Sequence, residues 1–365
     1  MPLYMDIHTL PGVKARDVAE AHKLDLLHQR EFGCNCMTYW IDESRDSVFC
    51  LISAPDRSAV ERLHRSSHGL EPNKIIEVDS TVVESFLGRI FDPETAEITK
   101  EGVKVFHDPS YRVILLIRTA DPVLLSHSLG KDEANERFHE YQGIVRTSFG
   151  EFDGREAEHR GGVVIASFIS VGQALEAAAA IRQRMQDPRF VPLDLRLALD
   201  GGEPVGESSQ MFGDTIRFAG FLCRVVGLNE IGISSSVKDL ATKSLFKFPS
   251  SLFTSLPLQD EDLLRQLFTE LESRWSDPDF DLDEYCRSTA MSRSKLYRKC
   301  IQLTGASPNQ LLKDYRLDRA LDLLRDQRNS VAQVSFETGF TSPSYFTKCF
   351  KEKFGLLPMA YSKLL

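Results

Sequence analysis

The sequence contains no apolar run long enough to cross a membrane and no arrangement of cysteines typical of a disulfide framework. A membrane-spanning helix needs about 20 predominantly apolar residues, and no stretch of the 365 residues approaches that length. The first residues, MPLYMDIHTLPG, lack the basic flank and apolar run of a secretory signal. The seven cysteines are odd in number and scattered along the chain, which is typical of a reducing compartment. We therefore expect a cytoplasmic protein with no membrane partner.

Positive charge is scarce in the chain as a whole but is concentrated near one end. Lys and Arg number 44 against 53 Asp and Glu, which gives a net charge of −9. From Asp281 onward there are 14 basic and 9 acidic residues, a balance of +5, so the preceding residues hold 30 and 44, a balance of −14. The length of 365 residues suffices for two or three domains. The charge distribution predicts that only the last quarter of the chain meets a polyanion.

Short apolar strands alternate with amphipathic helices over the first 80 residues. The predicted elements are strands over Leu3–His8, Cys34–Ile41, Val48–Ser53 and Lys74–Val78 and helices over Ala15–Phe32 and Ser58–His68. Their order, βαββαβ, is the split-βαβ, ferredoxin-like pattern. A segment rich in Pro, Gly and charged residues follows, and we interpret residues 81–109 as a linker.

A second α/β unit is predicted over residues 110–250. Its predicted elements are strands over Arg112–Arg118, Gly162–Phe168 and Leu193–Leu199 and helices over Glu133–Phe149, Gln173–Met185 and Asp214–Val226. From about Asp260 onward the pattern is helical, so we expect a third, all-α domain over residues 260–365.

The helical region repeats itself at an offset of 50 residues. The offset pairs helix-capping serines, helix-ending glycines and prolines. The pairs are Ser292 with Ser342, Ser294 with Ser344, Gly305 with Gly355 and Pro308 with Pro358. Each copy predicts a short helix, a turn and a second helix with basic residues, which is the layout of a helix-turn-helix DNA reader. One continuous helix over Pro308–Asp326 is predicted to join the two copies.

The second copy resembles the signature of the AraC family of bacterial transcription regulators. The segment VAQVSFETGFTSPSYFTKCFKEKFGLLPMAYSK, which starts at Val331, carries the turn Gly339-Phe340 and a helix start at Ser342. Ser362 departs from the family pattern, which usually has Arg there. The resemblance implies two recognition helices in successive major grooves, about 34 Å apart, with RNA polymerase as a further partner.

The residues expected to reach the DNA lie on the outward faces of the two recognition helices. They are Arg293, Lys295 and Arg298 in the first copy and Ser344, Tyr345 and Lys348 in the second. Such side chains contact base edges or phosphates. In the alternative interpretation, they form only the solvated faces of a helical bundle.

The middle unit resembles class III nucleotide cyclases but lacks their metal-binding carboxylates. The resemblance includes the segments LRLALDGGE, from Leu195, and FGDTIRFA, from Phe212. Active members hold two Mg²⁺ ions with two Asp side chains. This chain has Arg118 at the first of these positions and Gly161-Gly162 near the second. We predict a catalytically inactive scaffold that dimerises and couples signals, and no enzyme. The alternative is a nucleotide-binding or residual nucleotide cyclase enzyme fused to a DNA-binding domain.

Potential metal ligands are concentrated in the first 68 residues. His64 and His68 lie four residues apart on one predicted helix, so both imidazoles project from the same face and can share an ion. Cys50 adds a thiol, and Asp6 shares a strand face with His8. Imidazole suits Zn, Cu, Fe and Ni, so the pattern predicts a transition-metal site without choosing the metal. In the alternative interpretation, His68 interacts only with the helix C-terminus and Cys50 packs as a core thiol.

The first unit is similar to a small bacterial ferredoxin-like family whose characterised member binds nickel. The similar segments include MPLYMDIHTLPGV at the start and HRSSHG from His64. The resemblance implies a dimeric αβ sandwich and a transition-metal cofactor, with nickel favoured. The metal-ligand candidates that it carries over are His8, His22, Cys50, His64 and His68.

The predicted fold class is multidomain α+β. A ferredoxin-like sensor domain over residues 1–80 precedes a cyclase-like α/β domain and an all-α double helix-turn-helix domain. The predicted function is a homodimeric, DNA-binding transcription regulator that senses a metal ion or another effector.

Overall fold

Successive side chains along each strand of the first sheet point to opposite faces, and the two faces pack against different parts of the chain. The structure, a computed structural model, describes residues 1–100, 102–327 and 329–365. The elements of the first unit are β1 (Leu3–Thr9), α1 (Ala15–His28), β2 (Asn35–Asp42), β3 (Ser47–Ser53), α2 (Arg57–Ser67) and β4 (Lys74–Val78). The four strands are antiparallel in the order β2-β3-β1-β4. One face packs against α1 and α2 and encloses a buried cluster that includes Val18, Tyr39 and Leu63.

The predicted βαββαβ order of the first unit is confirmed. The strands and the second helix match the prediction to within one or two residues. The first helix is shorter than predicted, because residues Gln29–Phe32 form a 3-10 turn after α1. Gly33 ends that turn with φ of 67°, a conformation that favours glycine.

The chain itself covers the other face of this sheet. Trp40 and Phe49 belong to the same buried cluster as Phe86, on α3 (Ser80–Leu87), and Phe212 of the middle unit. The ring centroids of Phe86 and Phe212 lie 5.1 Å apart. The face is therefore not open to a second copy of the chain.

The predicted linker, residues 81–109, is folded in part, which corrects that interpretation. It contains most of α3, and it contributes Val103 and Phe106 to the buried cluster of the first unit. Two short strands, β5 (Glu97–Ile98) and β6 (Lys104–Val105), pair antiparallel within it. Glu101 lies outside the described residues.

The middle unit is a six-stranded sheet in the order β12-β11-β10-β7-β9-β8. Its elements are β7 (Arg112–Arg118), α4 (Pro122–Leu129), α5 (Lys131–Glu151), β8 (Arg155–Arg160), β9 (Val163–Phe168), α6 (Val171–Arg184), β10 (Arg196–Gly202), α7 (Gly213–Val225), β11 (Ile231–Ile233), α8 (Ser235–Leu240), α9 (Thr242–Leu245) and β12 (Phe253–Thr254). All three predicted strands and all three predicted helices are present. The third strand starts later than predicted, because residues Pro188–Leu193 form a 3-10 turn. The sequence did not predict α4 or β8.

The described residues of the C-terminal unit form seven helices, and the two predicted repeats have the same local structure. The helices are α10 (Leu258–Arg274), α11 (Leu282–Ser288), α12 (Arg293–Thr304), α13 (Pro308–Arg325), α14 (Val331–Glu337), α15 (Pro343–Phe354) and α16 (Pro358–Leu364). The Ser292 and Ser342 hydroxyls cap α12 and α15, which end at Gly305 and Gly355 with positive φ. The predicted connecting helix is observed as α13. Among the residues that the structure describes, no helix is both long and apolar enough to span a bilayer.

Candidate functional site

Strands and helices of the first unit bring histidines, carboxylates and a thiol together between the sheet and its helices. Asp6 and His8 share a face of β1, and the β1–β3 register sets Asp6 opposite Cys50. On α2, His64 and His68 lie one turn apart and project from one face. Asp6, His8, Cys50 and His64 are buried, and each offers a ligand atom within 4.8 Å of the others.

His64 joins this first group to a second one. The second group consists of Asp25 on α1, His64 and His68, whose ligand atoms also lie within 4.8 Å of one another. The Nε2 atom of His64 lies 2.9 Å from Asp6 Oδ2. Its Nδ1 atom lies 2.9 Å from His68 Nε2 and 3.4 Å from Asp25 Oδ2. Ser67 orients Asp25 by donating its hydroxyl to Oδ1 at 2.5 Å.

The buried charges in this site stabilise one another. Burial alone would lower the pKa of His64, but Asp6 and Asp25 raise it to about 10. Burial would raise the pKa of Asp6, but the neighbouring imidazoles of His64 and His8 hold it well below its usual range. Burial and the charge of Asp6 raise the pKa of the Cys50 thiol. Because an imidazole or thiol ligand must be deprotonated, a metal ion here would compete with protons.

Three buried imidazole nitrogens have no hydrogen-bond partner among the described residues. They are both ring nitrogens of His8 and Nε2 of His22. His8 Nε2 lies 3.4 Å from Asp6 Oδ1 without hydrogen-bond geometry, and His22 Nε2 lies 3.9 Å from Asp92 Oδ1. Both histidines line a cavity of about 50 Å³ that also touches Cys50. Unpaired buried nitrogens are costly. A metal ion bound in the group that contains His8 would satisfy one of its two ring nitrogens, so these residues fit a transition metal.

The structure brings most of the predicted ligands together and adds two carboxylates. Of the five predicted ligands, four belong to the two groups, and His22 lines the adjoining cavity. Asp6 and Asp25 were not among the predicted ligands. Asp25 has a signal in the sequence, because it lies three residues after His22 and therefore on the same face of α1.

In the C-terminal unit, the predicted DNA-contacting residues all lie on the solvent side. Each recognition helix buries an apolar face, through Leu296 on α12 and Phe346 on α15. The exposed residues are Arg293, Lys295, Arg298, Ser344, Tyr345 and Lys348. Arg293 pairs with Asp283, which reduces its availability for a phosphate.

In the middle unit, the positions expected to carry metal-binding carboxylates in active cyclases line one cleft. Arg118 and Gly161 both border it. Asp121, the nearby carboxylate, already has several partners, because it caps α4 and accepts hydrogen bonds from Arg325 and from Tyr361 Oη, the latter at 2.9 Å.

Two family models match the ends of the chain. Residues 285–363 match the model described as "Helix-turn-helix domain", and residues 4–78 match the model described as "Nickel responsive protein SCO4226-like". The C-terminal unit is therefore a helix-turn-helix domain of AraC type, and the first unit is an SCO4226-like domain. Neither model extends into residues 79–284, and the cyclase-like interpretation of the middle unit stays a prediction.

Three similar known proteins each match less than a third of this chain. The uncharacterized HTH-type transcriptional regulator YidL of Escherichia coli K12 is 38% identical over 105 residues, which are 29% of this chain and 34% of YidL. Histidine kinase P4 of Formosa agariphila is 35% identical over 102 residues, which are 28% of this chain and 7% of the kinase. The crystal structure of SCO4226 from Streptomyces coelicolor A3(2) is 27% identical with a TM-score of 0.20, and the match covers 21% of this chain and 94% of SCO4226. The chain thus spans about a third or less of these two curated relatives.

Proposed function

We propose that this chain is a sequence-specific DNA-binding transcription regulator whose first unit binds a transition metal, with nickel favoured. One observation carries the DNA-binding part: α12 and α15 each bury an apolar face and expose polar and basic residues, within a helix-turn-helix domain. Nickel is favoured because the matching family is described as nickel responsive. The regulator acts in the cytoplasm as a homodimer and contacts RNA polymerase.

The DNA interface consists of the six outward residues of the two recognition helices. Arg298 and Lys348 are its most informative members, because both are basic and exposed and lie in corresponding regions of the two copies. The test is fluorescence anisotropy of the full chain with DNA from upstream of its own gene and with a shuffled duplex of equal length. Specific recognition predicts tighter binding to the upstream DNA at the same salt concentration, and equal binding would contradict it.

The metal site consists of the two groups that share His64. The residues that would hold an ion are Asp6, His8, Cys50 and His64 in one group and Asp25, His64 and His68 in the other. A bound cation would supply positive charge to the buried carboxylates. Elemental analysis of the purified chain after exposure to nickel tests this part.

Continuous packing supports the coupling of metal binding to the DNA-binding unit. The first sheet packs on α3, where Phe86 contacts Phe212 of the middle unit. Phe221 on α7 stacks on Phe268 of α10 with ring centroids 4.9 Å apart. The middle unit therefore acts as a connector rather than as an enzyme, and metal binding biases the orientation of the reading helices.

A further inference from the structure

A cleft of about 760 Å³ lies between the sheet of the middle unit and the helices of the DNA-binding unit. Arg118, Arg196 and Arg224 line it from the middle unit, and Asp318 on α13 and Lys353 on α15 line it from the other side. The described lining holds six cations and five carboxylates, whereas the whole chain has a net charge of −9. The other two cations are Arg319 and Arg325, and the other four carboxylates are Asp121, Asp194, Asp314 and Asp322.

Three cations converge on the single carboxylate of Asp318. Its oxygens lie 2.6 Å from Lys353 Nζ, 2.7 Å from Arg224 Nη1 and 3.4 Å from Arg118 Nη2. The other four carboxylates each have a partner within the lining. These pairs are Asp121 with Arg325, Asp194 with Arg196, Asp314 with Lys353 and Asp322 with Arg319 and Arg325. The positive charge around Asp318 is therefore only partly neutralised.

The two arginines at this point also have spare hydrogen-bond donors. A guanidinium carries five N–H donors, but among the described residues Arg118 and Arg224 each make one hydrogen bond, in both cases to Asp318. Arg224 also lies over the ring of Tyr315, 5.0 Å from its centroid. Burial and the like charge of Arg224 lower the pKa of Arg118, which agrees with cations that lack sufficient counter-charge.

We propose that this cleft binds a small multivalent anion of the diphosphate or phosphate-ester class, with Arg118 and Arg224 as its main contacts. Guanidinium groups pair bidentately with phosphate oxygens, and phosphate carries more negative charge than one carboxylate. The anion takes the place of Asp318 on the two arginines. Because Asp318 lies on α13, the exchange breaks two of the ion pairs between the DNA-binding unit and the middle unit. The effect on DNA binding rests on the proposed function, but anion binding itself does not.

The test is isothermal titration of the full, metal-free chain with inorganic pyrophosphate at constant ionic strength and without DNA. We expect saturable binding that falls at least tenfold in the Arg118→Gln/Arg224→Gln variant. The Arg57→Gln/Arg146→Gln variant serves as the matched control, because both side chains are exposed and lie outside the cleft and the proposed DNA interface, and it should bind pyrophosphate as the wild type does. Absence of saturable binding, equal binding of sulfate or equal binding by the folded arginine variant would overturn the proposal.

A second variant keeps the test decisive if the arginine variant does not fold. Asp318→Asn removes the competing carboxylate, so it should bind pyrophosphate several-fold more tightly than the wild type. Partial unfolding could only weaken binding, so tighter binding would report the removal of the carboxylate. Unchanged or weaker binding by Asp318→Asn protein that is folded, as judged by its circular dichroism spectrum, would count against the proposal. A chain that binds its upstream DNA but not pyrophosphate contradicts only this inference, and the reverse result contradicts only the proposed function.

Discussion

The Nδ1 atom of His64 lies 2.9 Å from the Nε2 atom of His68, and the opposite ring nitrogen of His64 lies 2.9 Å from Asp6. One imidazole thus belongs to both groups of candidate ligands. Its central position makes His64 the residue whose removal should affect metal binding most.

The first prediction concerns metal content. The His64→Ala/His68→Ala variant should lose nickel affinity by more than the roughly 10–100-fold that loss of an outer-shell partner costs. His28→Ala is the matched control, because His28 is partly exposed, pairs with Glu31 at 3.2 Å and belongs to neither ligand group. Elemental analysis and competition titration measure the effect. Equal nickel content in the double variant and the wild type would exclude this site.

The second prediction concerns the recognition helices. Arg298→Ala and Lys348→Ala should each weaken binding to upstream DNA by about 1–3 kcal/mol if they contact a base. If they contact phosphate instead, each should reduce the slope of log affinity against log salt by about 0.9. Arg146→Ala is the control, because Arg146 is exposed on α5 of the middle unit. Fluorescence anisotropy at several salt concentrations measures both the affinity for DNA and its dependence on salt. If binding is unchanged in both variants, the two residues belong to a solvated helix face that does not contact DNA.

The third prediction concerns stability in acid. Although burial alone would raise it, Lys353, Arg224 and Arg118 hold the pKa of Asp318 well below its usual range. A lowered folded-state pKa stabilises the fold above the unfolded-state pKa, and this stabilisation is lost as the pH falls below about 4.

The Asp318→Asn variant should therefore be less stable than the wild type at pH 7, by on the order of 2 kcal/mol. The difference should shrink as the pH approaches 3. Urea unfolding of both proteins at pH 7 and pH 3 measures it, with the exposed Asp239→Asn as control. A difference that does not change with pH would contradict the assigned charge interaction.

The fourth prediction concerns the contact between the first two units. Phe86 is 4% exposed and packs against Phe212, so Phe86→Ala should lower the free energy of unfolding by about 3–5 kcal/mol. Phe246, which is 86% exposed, provides the matched control. Phe246→Ala should change the free energy of unfolding by less than about 0.5 kcal/mol. Equal urea midpoints for the two variants would show that the observed interface does not contribute to stability.

Local signals in the sequence were sufficient for much of the fold. Period-two alternation located β1, and the capping serines Ser292 and Ser342 located the starts of α12 and α15. The helix α3 also had a local signal, since Val83, Phe86 and Leu87 share one helical face. The Pro and Gly residues that follow it led to the interpretation as a linker.

Contacts between distant residues could not be predicted in the same way. The spacing of His64 and His68 predicts a shared face of one helix, and the spacing of His22 and Asp25 predicts a shared face of another. Neither spacing predicts that the two faces pack against each other. Arg118 and Asp318 are 200 residues apart, and their contact depends on how the middle unit packs against the helices. A long-range ion pair of this kind leaves no periodic signal in either segment.

Footprinting of the full chain on its upstream DNA, with and without nickel, tests DNA recognition and its control by the metal in one measurement. We expect two protected segments on one side of the duplex, about one helical turn apart, and their protection should change when nickel is added. The His64→Ala/His68→Ala variant should protect the same segments without responding to nickel. Absence of protection above that of unrelated DNA would contradict DNA recognition, and identical footprints of the wild type with and without nickel would contradict metal control.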